Sequence, residues 1–211
     1  MTFFTPARQL AAGCRVFFVA CLLGFTAIHA AAQSSSKGDA KRGEAKAKLC
    51  MSCHGSSGRP PLERTPALAG QQREYLVLQM VLFREGLRDV PQMAGVLKGY
   101  SDPDLFDVAA FFSGQKPPSL GAGNPDSKRH ARGAALAASM GCGSCHMQDY
   151  RGQNQVPRIV NQREDYLAAA MRDYRDNRRA GTDTSMNNVL YQVSDADIQA
   201  LAHYLAHHSP K

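Results

Sequence analysis

Apolar residues along this chain come in short blocks at helical spacing, separated by glycine, proline and polar stretches. Leu167, Ala170, Met171 and Tyr174 fall at i, i+3, i+4 and i+7, the buried stripe of one helix. The matching block in the first half predicts a middle helix over about Gln71 to Glu85. Asp39 is suited to cap a helix running toward Cys50, with Gly43 inside it. A glycine in a helix costs stability, and close approach by another helix is one reason to accept that cost. Ser101-Asp102-Pro103-Asp104 has capping-box character and starts a helix running to about Phe112. No segment alternates at the strand period, so an all-α protein is expected.

The pattern is written twice. Residues 66–88 match 157–179 at a constant offset of 91, pairing Pro66/Pro157, Gln71/Gln162, Tyr75/Tyr166, Met80/Met171 and Arg88/Arg179. After a two-residue insertion the offset becomes 93, pairing Met93/Met186, Ser101/Ser194, Asp104/Asp197 and Phe111/Tyr204. A duplicated domain accounts for this economically. One difference stands out: Val77, Leu78, Val81 and Leu82 align with Ala168, Ala169, Arg172 and Asp173. The aliphatic face either lies deeper in its own domain or packs on something else.

The amino terminus reads as an export signal. Arg8 and Arg15 precede an apolar run from Val16 to Ala27, and Ala30-Ala31-Ala32 offers a cleavage site after Ala32. The expected organisation is therefore a signal peptide over 1–32, a first domain over 33–113, a Pro- and Gly-rich linker over 114–125 and a second domain over 126–211. Net charge is +7 without a run of basic residues, which gives no support to nucleic-acid binding.

The cysteines carry the chemistry. Cys50-Met51-Ser52-Cys53-His54 and Cys142-Gly143-Ser144-Cys145-His146 both read C-x-x-C-H. Two thiols one helical turn apart can add across the two vinyl groups of a haem, and the next His sits under the iron. A zinc site needs closer cysteine pairs, and a thioredoxin-like dithiol needs a βαβ unit that is absent from the pattern. Two covalently bound haem c groups are expected, held by Cys50, Cys53, Cys142 and Cys145, with His54 and His146 as axial ligands. A covalently tied haem would also supply much of the core of each small domain.

For the remaining axial position, Met93 and Met186 lie in expected loops, where a chain can cross to the distal face. Met80 and Met171 sit on the apolar helix stripe and read as packing. His130, His203, His207 and His208 have no repeat partners and read as surface residues. Iron bound by His and Met suits electron transfer better than oxygen binding or peroxidase chemistry.

With both motifs, the loop methionines, Phe-Arg-Glu-Gly-Leu-Arg at 83–88 and Ser-Asp before each last helix, the chain resembles the dihaem cytochrome c4 family. The resemblance implies two tandem class I cytochrome c domains related by a pseudo-twofold axis, with haem propionates near their interface. It implies periplasmic, non-enzymatic electron transfer with redox protein partners, among them a membrane-bound oxidase or quinol-oxidising complex, and room for peripheral membrane association. A subunit of a larger dehydrogenase, such as flavocytochrome c sulfide dehydrogenase, is the alternative, and a dihaem peroxidase a weaker one. It assigns Pro66 and Pro157 as acceptors for the proximal imidazoles. It also assigns Gly43 with Phe111, and Gly133 with Tyr204, to the contacts between first and last helices. Met147 stands where the pattern has glycine after His146, which puts the second haem loop in doubt.

Overall fold

The computed structural model describes residues 37–120, 124–179 and 184–209. The expected leader, its cleavage site and part of the linker lie outside these residues. From Gly38 onward the chain forms one compact unit. The first lobe holds α1 (Ala40–Lys46), α2 (Lys48–His54), α3 (Arg73–Arg84), a 3-10 turn (Pro91–Met93) and α4 (Asp102–Ser113). The second holds α5 (Ser127–Ser139), α6 (Cys142–His146), α7 (Glu164–Arg175), α8 (Ser185–Leu190) and α9 (Asp195–His207). No strand forms among the described residues, only an isolated bridge between Gln153 and Val156.

Side-chain caps fix the start of the first and last helix of each lobe. Asp39 accepts from the Arg42 N–H, Asp126 from Arg129, and Ser101 and Asp104 form the full capping box. The expected first helix differs in one respect. It breaks at Ala47, and a second piece carries the cysteines on to His54.

In each lobe the first helix packs on the last, α1 on α4 and α5 on α9. Glycine makes this possible. A Cβ at Gly43 would lie 1.9 Å from the Asp107 carbonyl oxygen, and one at Gly133 2.1 Å from that of Ala200. Phe111 and Tyr204 flank these contacts, as the resemblance implied.

Each lobe then ties the N-cap of its first helix to the last by different chemistry. In the first, the buried Asp107 carboxylate accepts from Asp39 N–H at 2.7 Å and from the Arg42 and Lys46 side chains. In the second, the corresponding backbone N–H of Asp126 donates to Nε2 of His203 at 3.0 Å, while Nδ1 of His203 meets Glu164 at 2.9 Å. His203 is therefore buried, not a surface residue, because its ring ties α5, α7 and α9 together. His130, His207 and His208 are half-buried rather than exposed, packed against the aromatic rings and imidazoles of the same lobe.

The cores flank α2 and α6. Ala47, Leu76, Val108, Ala109 and Phe112 form the first, a small cluster against which Cys50, Val77 and Met80 pack. The second is larger and includes Leu167, Met171, Ile198, Leu201 and Tyr204. Of the aliphatic face on α3, Val77 joins its own lobe's core and Leu82 is buried. Arg172, the counterpart of Val81, instead reaches Asp195.

Candidate functional site

Both C-x-x-C-H motifs are helical, so each pair of cysteines stands one turn apart on a single short helix. None of the four is paired in a disulfide: Cys53 and Cys145 are exposed, Cys50 and Cys142 half-buried. His54 and His146 close these helices and are buried. Burial pulls both imidazoles below the ordinary histidine pKa, against an opposing pull from the proline carbonyls. Nδ1 of His54 lies 2.9 Å from the Pro66 carbonyl oxygen, and Nδ1 of His146 lies 2.9 Å from that of Pro157. A carbonyl can only accept, so Nδ1 carries the proton and donates. Nε2 keeps its lone pair, the form that binds a metal.

The loop below each histidine is built alike despite the sequence difference. Gly55 has φ 80° and ψ 151°, and Met147 takes the same conformation at φ 68° and ψ 158°. Further on, the Gly58 carbonyl accepts from Leu68 and Ala69, while the Tyr150 carbonyl accepts from Ile159 and Val160. The second haem loop thus keeps the first one's path with methionine and tyrosine in left-handed positions.

The two methionines stand apart from the motif helices, on short turns of their own. Met93 ends the 3-10 turn and is half-buried. Met186 lies in the first turn of α8, not in a loop, and packs against the second lobe's core. Of the packing pair, Met171 is buried in its core and Met80 packs against the other.

Between the lobes lies a buried polar seam that sequence reading did not anticipate. Gln71 bonds through its side-chain amide to both backbone groups of Arg158, and Gln162 does the same to Ala67. Arg179 is buried, donates to the Tyr75 hydroxyl at 2.8 Å and stacks on the Tyr174 ring. Arg88 donates to Gln79, yet its Nε is buried without a hydrogen-bond partner. The signal was present in the repeat pairs Gln71/Gln162 and Arg88/Arg179, but their spacing says nothing of which lobe they face.

These residues fit a haem in each lobe. The cysteines are correctly spaced and outside any disulfide, the imidazoles present the right tautomer, and Arg88, with its orphaned Nε, shares the Gln79 oxygen with buried Arg179, a donor set suited to carboxylates. A metal at the Glu164, His203 and His207 cluster fits poorly, although its ligand atoms lie within 4.8 Å of one another. His203 already uses both ring nitrogens, and binding at Nδ1 would demand an imidazolate.

The helical pairs, the repeated thiol–imidazole motif and the proline acceptors define a tandem class I c-type cytochrome, with two covalently bound haem c groups, that carries electrons. The Cytochrome c family model matches residues 130–209. Cytochrome c4 of Pseudomonas aeruginosa is 35% identical over 192 residues, covering 87% of this chain and 92% of the relative. The crystal structure of reduced recombinant cytochrome c4 from Pseudomonas stutzeri superposes with a TM-score of 0.72 at 33% identity, covering 80% of this chain and 98% of that one. The thiosulfate dehydrogenase electron acceptor of Thiomonas intermedia is 30% identical, covering 76% of this chain and 79% of that protein. The chain belongs to the cytochrome c4 family.

Proposed function

We propose that this protein shuttles electrons in the periplasm between redox proteins through two His/Met-ligated haems. The observation that carries the reading is the pair of histidines held alike, with Nδ1 bound to a proline carbonyl and Nε2 left to coordinate. Cys50 and Cys53 would hold the first haem with His54 and Met93 as axial ligands. Cys142 and Cys145 would hold the second with His146 and Met186. Residues 33–113 and 126–211 would be the two domains, joined by 114–125 and exported by a leader over 1–32. The bound haem supplies a one-electron Fe(III)/Fe(II) couple. The protein's part would be to fix the ligands and to offer the Arg88 and Arg179 guanidinium groups to the carboxylates of the haems. With His54 and Met93, and His146 and Met186, holding the two irons, no place would be left for substrate to bind them, which favours a carrier over an enzyme.

Met93→Ala and Met186→Ala should each remove about half of the Met–Fe(III) charge-transfer absorption and lower one of two potentials. Met80→Ala and Met171→Ala should leave the band intact and cost stability, on the order of 2–5 kcal/mol where the side chain is buried. The opposite pattern would reassign the ligands. Similarity to a thiosulfate dehydrogenase acceptor supports a second reading for the partner, a dehydrogenase that hands electrons to this chain. Reduction of the purified cytochrome by such a dehydrogenase, and not by a quinol-oxidising complex, would select it.

A further inference from the structure

Gln162 belongs to the second lobe, yet beyond accepting from the next residue's N–H, as Gln71 also does, its side chain is spent on the first. Its Oε1 accepts from Ala67 N–H at 2.8 Å and its Nε2 donates to the Ala67 carbonyl at 3.0 Å. Gln71 of the first lobe mirrors this on Arg158, accepting from N–H at 2.7 Å and donating to the carbonyl at 2.9 Å. Both glutamines are 6% exposed, so neither contact is a loose surface pairing.

What they grip matters. The Ala67 N–H and the Pro66 carbonyl are two ends of one planar trans peptide, and that carbonyl takes the proton of His54. The Arg158 N–H and the Pro157 carbonyl likewise share the peptide that meets His146. Each proline peptide is thus held at its N–H by a glutamine of the opposite lobe and at its oxygen by the histidine of its own. Hydrogen bonds in such a chain polarise one another: an acceptor at the N–H makes the carbonyl oxygen more negative. A more negative oxygen pulls harder on the imidazole proton and makes Nε2 the better donor.

We propose that Gln71 and Gln162 are positioning residues that act crosswise, each setting the orientation and donor strength of the proximal histidine in the opposite lobe. The proposal rests on the reading of His54 and His146 as iron ligands. It gives the lobe interface a second role, since anything that opens the interface loosens both proximal histidines together. Loss of the glutamine weakens the histidine as a donor to the oxidised iron, so the potential of the opposite haem rises.

The test uses the haem-loaded full-length protein with Gln162→Met and Gln71→Met, which keep the volume and remove the amide. Proximal histidine ring protons are followed by NMR of the oxidised protein, and the two potentials by redox titration. Gln162→Met should move the His54 signals and raise the first-lobe potential while leaving His146 in place; Gln71→Met should do the reverse. Exchange of the Ala67 amide hydrogen should speed up roughly 5–10-fold in Gln162→Met alone, the loss of about one hydrogen bond. Signals that follow the glutamine's own lobe, or ignore both variants, overturn the proposal and leave the ligand reading intact. Absence of hyperfine-shifted histidine signals in the unmodified protein overturns the ligand reading and the proposal with it. Should a variant not fold, exchange in the unmodified protein decides. Ala67 and Arg158 amides protected beyond their loop neighbours support the grip, and exchange as fast as exposed amides overturns it.

Discussion

Met147 holds a backbone conformation that glycine holds in the other lobe. At φ 68° and ψ 158° its Cβ is crowded, in a region that costs on the order of 1–3 kcal/mol for a side-chain-bearing residue. Met147→Gly should therefore raise stability by about 1 kcal/mol, after the added freedom of the unfolded chain is set against the relieved strain, as read from denaturant unfolding. Tyr150, at φ 56°, differs because its ring is buried against Tyr204 and His208. Its packing offsets the backbone cost. At this scale the sequence was most legible where one residue type has few other uses. Gly43, inside an expected helix, announced a close helix contact, while Gly133 and the carbonyls of Pro66 and Pro157 were placed by the resemblance to class I cytochromes. Met147 was not legible, because nothing in a methionine codon signals positive φ.

Among elements, the join of α1 to α4 should be the more acid-sensitive, because its carboxylate, Asp107, is buried, whereas Asp197, which meets Arg132 across the join of α5 to α9, is only half-buried. Burial alone would raise the Asp107 pKa, but hydrogen bonds from Arg42, Lys46 and the Asp39 N–H outweigh it and hold the carboxyl down at about 2. Its folded value lies below the unfolded one, so the stabilisation is complete above about pH 4 and is lost as pH falls toward 2. Thermal unfolding of the wild type followed across that window should show a decline that Asp107→Asn makes shallower, the rest coming from Asp104 beside Lys46, with Asp107→Asn less stable at pH 7 by roughly 2 kcal/mol. The second lobe has Ala200 at the equivalent position and uses His203 instead. Helix existence and order were readable from periodicity and caps, down to the Ser101 capping box. The break at Ala47 and the helical turn at Met186 were not, because tertiary contacts decide where a short helix stops.

For the whole molecule, the seam between lobes decides whether the chain behaves as one body. Arg179 spans it, with its charge desolvated and its donor on Tyr75 of the other lobe. Arg179→Met removes that tie and leaves the Tyr75 hydroxyl short of a donor. It should cost on the order of 2–3 kcal/mol and split a single unfolding transition into two, one per lobe, by calorimetry of the haem-loaded protein. A single, merely shifted transition would mean that the remaining contacts suffice. The seam was the least legible part of the fold. Burial on an interface depends on the placement of a second body, which periodicity within one helix cannot encode.

The reciprocal pairing of Gln71 with Arg158 and Gln162 with Ala67 is the arrangement two identical subunits adopt about a twofold axis, here internal to one polypeptide. Two separate chains joined this way would part on dilution, and their shared contacts would vary with expression level. Covalent linkage replaces that bimolecular equilibrium with a fixed local concentration. The two lobes therefore meet in the same proportion in a crowded compartment and in a dilute one.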